Sequence, residues 1–263
     1  EYVDENGTTQ YYKNNTDNYF QQHYQAHVSH IFNQKWSLNA ALHYTRGDGY
    51  TEQVKYAKHK DYALQNYLDG DGNEVEKSNL VRRKYLSNDF YGGTIGAHFS
   101  AKSLKVAFGA AASNYNGIHY GQVLKMLDES YPNSVENYEY YRNRGDKLDV
   151  NAFAKANWEI VKGLSIYGDL QYRFVDYRLS GVNDEDLNEM SLHEQFHFFN
   201  PKAGVSYSTK GHNVYATFAM ANREPTRKNY TECGPNDQPR HETLYDYEVG
   251  YSYSHKIFSI GAN

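Results

Sequence analysis

Polar and apolar side chains alternate with a period of two along most of the 263-residue chain, the spacing that sends successive side chains to opposite faces of an extended strand. From Trp36 to Tyr44 one face reads Trp36, Leu38, Ala40, Leu42 and Tyr44, and the reverse Ser37, Asn39, Ala41 and His43. From Leu164 to Phe174 the split is Leu164, Ile166, Gly168, Leu170, Tyr172 and Phe174 against Ser165, Tyr167, Asp169, Gln171 and Arg173. Tyr245, Tyr247, Val249, Tyr251 and Tyr253 oppose Asp246, Glu248, Gly250 and Ser252 in the same way. The pattern predicts about ten strands, over residues 18–32, 35–47, 88–101, 103–115, 146–160, 163–178, 198–208, 212–223, 242–254 and 256–263. Most exceed the roughly five or six residues of a soluble strand. They reach the about 9–11 residues that a tilted strand needs to cross a bilayer.

The connections alternate in length. Asn33-Gln34, Lys102, Val161-Lys162-Gly163, Thr209-Lys210-Gly211 and His255 are tight turns, and between them lie long polar segments over 48–87, 116–145, 179–197 and 224–241. Antiparallel strands joined in this way put every tight turn on one rim and every long loop on the other. The predicted fold is therefore all-β: a segment of an antiparallel up-and-down transmembrane β-barrel, with short periplasmic turns and long extracellular loops. Trp36 and Trp158 fall near the tight-turn ends and Tyr44, Tyr172 and Phe174 toward the other, as two aromatic girdles would. The competing reading is a soluble sandwich or barrel whose apolar face packs a core; such a fold uses shorter strands without a consistent asymmetry of loops.

Composition narrows the choice. With 28 Tyr and 12 Phe the chain is too aromatic to stay unfolded, although its mean hydropathy is −0.88. No apolar run is long enough for a transmembrane helix. A net charge of −5 and a pI near 6.2 speak against a nucleic-acid binder. The lone cysteine, Cys233, rules out an internal disulfide framework. The chain starts at Glu1 with no secretion signal and stops inside the alternating stretch Ile260-Gly261-Ala262-Asn263, so residues 1–263 are expected to be part of a longer barrel protein.

Four stretches carry a family resemblance. They are Tyr12-Lys13-Asn14-Asn15-Thr16-Asp17-Asn18-Tyr19 leading into Gln22-His23-Tyr24, Arg82 through Gly92, Phe198-Phe199-Asn200-Pro201-Lys202-Ala203-Gly204, and Ala221-Asn222-Arg223-Glu224-Pro225-Thr226-Arg227-Lys228-Asn229-Tyr230. In this order the chain resembles the TonB-dependent outer-membrane receptors of Bacteroidetes-type bacteria, in the C-terminal part of a barrel of about 22 strands. The resemblance implies a bacterial outer-membrane location and energy-coupled uptake of a scarce small-molecule nutrient such as a ferric siderophore, haem or cobalamin, with glycans as an alternative cargo. It implies a plug domain and a TonB-binding box, neither of which lies in these residues, so coupling to the TonB complex would run through an N-terminal part. Outer-membrane lipid and lipopolysaccharide would surround the wall. A passive barrel without energy coupling is the rival within the membrane class.

Candidate chemistry is sparse. Arg223, Glu224, Arg227 and Tyr230 end a predicted strand and offer charge-assisted hydrogen bonds to an anionic ligand; the alternative is an internal ion-pair network fixing the wall. Arg82 and Arg83 belong to the one dense basic cluster, set in a predicted loop, and offer a phosphate or anionic-ligand contact. His193 and His197 stand four apart, a metal-ligand spacing on a helix, but Phe196, Phe198 and Phe199 point to a strand. Asp69-Gly70-Asp71-Gly72-Asn73 lacks the Gly and Glu an EF-hand loop requires. His23, His27 and His43 fall on the polar face. No hydrolase triad, nucleotide loop or acid–base pair occurs, so no enzyme and no cofactor are expected.

Overall fold

The computed structural model describes residues 1–4, 6–233 and 237–263. Ten antiparallel strands form one sheet: β1 (Thr16–Ile31), β2 (Trp36–Lys58), β3 (Lys77–Ser100), β4 (Leu104–Met126), β5 (Tyr138–Val161), β6 (Leu164–Val182), β7 (Glu189–Thr209), β8 (His212–Arg223), β9 (Glu242–Ser254) and β10 (Ser259–Ala262). Each strand pairs only with its neighbours in the chain, so the order across the sheet is the order in the sequence. Two small ribbons, Tyr2–Val3 with Thr9–Gln10 and Tyr67–Leu68 with Glu74–Val75, a single 3-10 turn (His59–Tyr62) and the short helix α1 (Arg227–Thr231) complete the described elements.

The tight-turn rim follows from local chemistry. Asn33 Oδ1 accepts from the backbone N–H of Lys35 and Trp36 and closes the β1–β2 turn. Lys210 and Gly211 both take positive φ, +45° and +89°, the handedness that matches the twist of a two-residue hairpin. Gly211 is required there, because a Cβ would stand 2.4 Å from the Ser254 carbonyl.

On the other rim the strands run much further than the hydrophobic pattern predicts. The expected loops 48–87, 116–145 and 179–197 contract to 59–76, 127–137 and 183–188, because β2 through β7 continue as paired ladder above the apolar zone. Arg82 and Arg83 accordingly lie on β3 and not in a loop. Both faces are mixed in polarity at that height, which erases the contrast while leaving the backbone pairing intact. The Asp69–Asn73 segment is a turn at the tip of the second ribbon, with Asp69 Oδ1 accepting from the backbones of Asp71 and Asn73.

The two faces of the sheet differ as a membrane wall requires. One register row of side chains reads Ala26, Leu42, Gly93, Ala112, Val150 and Phe174. Leu42, Ile95, Phe108, Leu170, Tyr172, Val205 and Val249 on this face remain exposed instead of being sealed in an interior, so their partner is hydrocarbon. Trp36 packs on Phe99 and Phe108 near the tight turns, and Tyr24, Tyr44 and Tyr91 share a row toward the other end. The conventional buried core is small and sits above the membrane zone, where Tyr62, Leu80, Val123, Tyr140 and Tyr141 cluster under the loops. His23 and His43 lie on the polar face, His23 within 3.0 Å of the Thr45 hydroxyl and His43 against Phe90.

Candidate ligand-facing site at the barrel mouth

Where the chain leaves β8 on the polar face, charged side chains from three elements converge. β5 presents Lys147 and Asp149, β6 presents Arg173, and the chain leaving β8 presents Glu224. Pro225, which cannot donate to a ladder, ends the pairing of β8 and turns the chain into α1, whose N-cap Thr226 exchanges hydrogen bonds with Asn229. The Arg173 guanidinium is held between Asp149 (Nη2 to Oδ2, 2.5 Å) and Glu224 (Nη1 to Oε2, 2.8 Å). Lys147 Nζ donates to Glu224 Oε1 at 2.5 Å. Burial, the largest single influence on the Glu224 carboxyl, pushes its pKa up, but the hydrogen bonds from Lys147 and Arg173 outweigh it and hold it at about 2.

Arg227, at the start of α1, reaches across to β5, where its Nη2 donates to Asn143 Oδ1 at 3.0 Å. Asn143 is almost wholly buried and donates in turn to the Val182 carbonyl. A pocket of about 380 Å³ opens beside them, lined by Tyr115, His119, Lys147, Tyr177, Glu224 and Arg227. His119 is held below its ordinary range by burial and by the charge of Arg227. On the same rim Lys84 Nζ donates to Asp184 at 2.8 Å and ties β3 to the β6–β7 turn. A wall of fixed cations, phenols and an imidazole can hold an oxygen-rich anion at the mouth.

The sequence-predicted residues fare differently. Glu224 and Arg227 belong to this constellation. Arg223 pairs with Glu242 across β8 and β9 and stays exposed. Tyr230 packs near Tyr177, and its buried hydroxyl has no partner among the described residues; burial first of all pushes its pKa up to about 12.

Arg82 and Arg83, adjacent on a strand, point to opposite faces. Arg82 donates to Tyr62 and Gln53, while Arg83 binds Glu52 and lies over the Tyr50 ring on the outer face. They do not act as one cluster. His193 and His197 share the outer face of β7, about 13 Å apart at strand rise, with His193 on Asp176 and His197 on Tyr172. Among the described residues no group of three or more His, Cys, Asp or Glu is placed to hold a metal ion. Lys147, Asp149, Arg173 and Asn143 were not singled out from the sequence; they lie well inside β5 and β6, where any polar-face position accepts such side chains.

A single meander of membrane-length strands, apolar outside and polar inside, defines an outer-membrane β-barrel wall. Residues 2–263 match the family described as TonB dependent receptor-like, beta-barrel, and the chain belongs to that family. No curated protein matches it. Among solved structures it is similar to the ferric-catecholate import receptor Fiu from E. coli K12 (12% identity, TM-score 0.58, covering 90% of this chain and 38% of that one). It is similar also to the copper transporter OprC (12% identity, TM-score 0.64, 90% and 36%). A third likeness is to P. aeruginosa FpvA in its iron-pyoverdine complex (13% identity, TM-score 0.61, 96% and 34%). The chain thus spans little more than a third of the length of these structures, which share its fold. These relatives are transport receptors, not enzymes, and the barrel is an outer-membrane protein.

Proposed function

We propose that this barrel wall serves TonB-dependent import of a scarce nutrient, with the mouth constellation around Glu224 and Arg227 facing the cargo. The family match over residues 2–263 carries this reading. The fixed Arg227, His119 and tyrosine hydroxyls of the mouth favour an oxygen-rich, anionic cargo, of which a ferric siderophore is the leading candidate, ahead of haem and cobalamin. The TonB complex is the energy source, engaged through a part of the receptor outside these residues. Uptake of radio-iron siderophore, haem and cobalamin by cells carrying the full-length receptor, with and without TonB, tests the proposal. The expected result is uptake of one cargo that stops when TonB is removed and that weakens when Arg227 is changed to alanine. Uptake that persists without TonB would assign a passive barrel, and uptake of none of the three overturns the cargo.

A further inference from the structure

β7 rises well past the strand beside it. Ser208 donates its backbone N–H to the Gly163 carbonyl, and the β6–β7 register runs from there to Val182 opposite Glu189 without a shift. In an antiparallel pair both backbone groups of a residue point the same way, and the direction alternates along the strand. Even-numbered residues of β7 therefore bond β6, and odd-numbered ones face β8. The β7–β8 ladder ends at Lys202 opposite Ala219, because Pro201, next on the β8-facing side, has no N–H to offer. One clasp follows: Asn222 donates its backbone N–H to Asn200 Oδ1 at 3.0 Å and its Nδ2 to the Phe199 carbonyl at 3.3 Å. β8 then stops at Arg223, while β7 extends up to Glu189.

Above the clasp the N–H and C=O of His197, Gln195, His193 and Ser191 face the vacated place, and none has a hydrogen-bond partner among the described residues. The usual devices that close an edge are missing, since Glu189 through Phe199 contains no Pro, Lys or Gly and no bulge. The outward side chains of this stretch are His197, Gln195, His193 and Ser191, so the edge stands in water, beyond the hydrocarbon that Phe199 and Val205 meet. Beside it a cleft of about 570 Å³ separates β7 from α1, lined by Asn183, Asp186, Glu189, Leu192, Glu194 and Tyr230. No lysine, arginine or histidine lines the cleft, and the carboxylates of Glu189 and Glu194 have no ion-pair or hydrogen-bond partner among the described residues. Asn183, only 3% exposed, keeps a carbonyl oxygen unpartnered there.

We propose that a partner protein at the cell surface docks here by adding an extended, lysine- or arginine-bearing segment to β7 as a further strand. The edge argues for the backbone form: Ser191 to His197 spans about 20 Å, the length of a strand of about seven residues, and open N–H and C=O groups recruit such a strand by main-chain hydrogen bonds. The cleft argues for the charge, because its carboxylates and the Asn183 oxygen are acceptors without a cation. The direction of the open groups argues for a partner over a cargo: they point sideways, above the shorter β8, and not into the lumen. Docking here is independent of the imported nutrient.

Fluorescence anisotropy with the full-length receptor in detergent tests the proposal, using three labelled nine-residue peptides. One alternates Thr and Lys, the second is the same peptide methylated on its backbone nitrogens, and the third alternates Thr and Glu. The Thr–Lys peptide is expected to bind at least about tenfold more tightly than either of the others. Hydrogen exchange is expected to be fast at the amides of Ser191, His193, Gln195 and His197 in the free receptor and slow once that peptide is bound. Ser191→Pro removes one open donor and leaves the β6 ladder whole, so it is expected to weaken the peptide about tenfold, whereas Ser191→Ala keeps it. Equal binding of the methylated or the acidic peptide, or an unchanged affinity in folded Ser191→Pro, overturns the proposal. So does protection of the four amides in the free receptor, which would mean that the chain after α1 or a second copy already fills the edge. TonB-dependent uptake of the Thr–Lys peptide by cells overturns it as well, since the peptide would then be cargo.

Discussion

Glu224 carries more of the mouth than any neighbour, because one carboxylate satisfies both Lys147 and Arg173 while nearly buried. Glu224→Gln keeps the shape but leaves Lys147 and one edge of Arg173 with a neutral acceptor, and is expected to cost about 1–3 kcal/mol in unfolding free energy of the full barrel, read from the denaturant midpoint in lipid vesicles. The same residue sets an acid limit. Its folded pKa, about 2, lies below the ordinary carboxyl value of 4.5, so its contribution is complete above the unfolded value and is lost as pH falls from there through the folded one. Wild-type stability should therefore fall between about pH 4.5 and pH 2 more steeply than that of Glu224→Gln; parallel acid titrations of both proteins would contradict this.

At the scale of the strand, glycines on the polar face act as seats for aromatic rings from the neighbouring strand. A Cβ on Gly47 would stand 2.1 Å from the Tyr19 hydroxyl, and one on Gly250 would stand 2.2 Å from the Tyr215 ring. Gly47→Ala must expel Tyr19 from its contact with Asn88 and is expected to cost about 1–3 kcal/mol by overpacking. Adding Tyr19→Ala should recover part of the loss, a coupling that a double-mutant cycle measures.

These pairings explain what could be read in advance. The lower halves of the strands were legible because lipid on one side and water on the other impose contrast, as between Leu170 and Gln171. Their upper halves were not: Lys77 through Ser87 and Tyr138 through Gly145 are mixed in polarity on both faces, and irregularities at Val81/Arg82 and Gly121/Gln122 shift the phase of the ladder. Glu224 and Arg227 were legible as an unusual charged run at a strand end. Arg173, Lys147 and Asp149 were hidden because any polar-face position accepts such residues, and only the three-dimensional register brings them to Glu224.

The whole wall makes one demand, that the exposed apolar surface meet hydrocarbon. Leu170 stands exposed midway up β6, and Lys155 faces the other way one register step from it, opposite Asp169. Leu170→Arg is expected to destabilise the full barrel by about 2–4 kcal/mol in vesicles. Lys155→Arg should stay within about 0.5 kcal/mol; equal effects would mean that the two faces have been assigned wrongly. The sheet described also has two unpaired edges, β1 and β10, and such edges template association. Residues 1–263 expressed alone are therefore expected to elute from a sizing column in detergent as higher oligomers, not as a monomer.

Arg82 and Arg83 are chemically alike and adjacent, yet one faces the inside of the wall and the other its outside. Each strand thus carries two interleaved messages, written at odd and even positions. A lineage can rewrite what the pore recognises without disturbing how the barrel sits among its lipids, but inserting a single codon into β3 would exchange the two readings at every position beyond it.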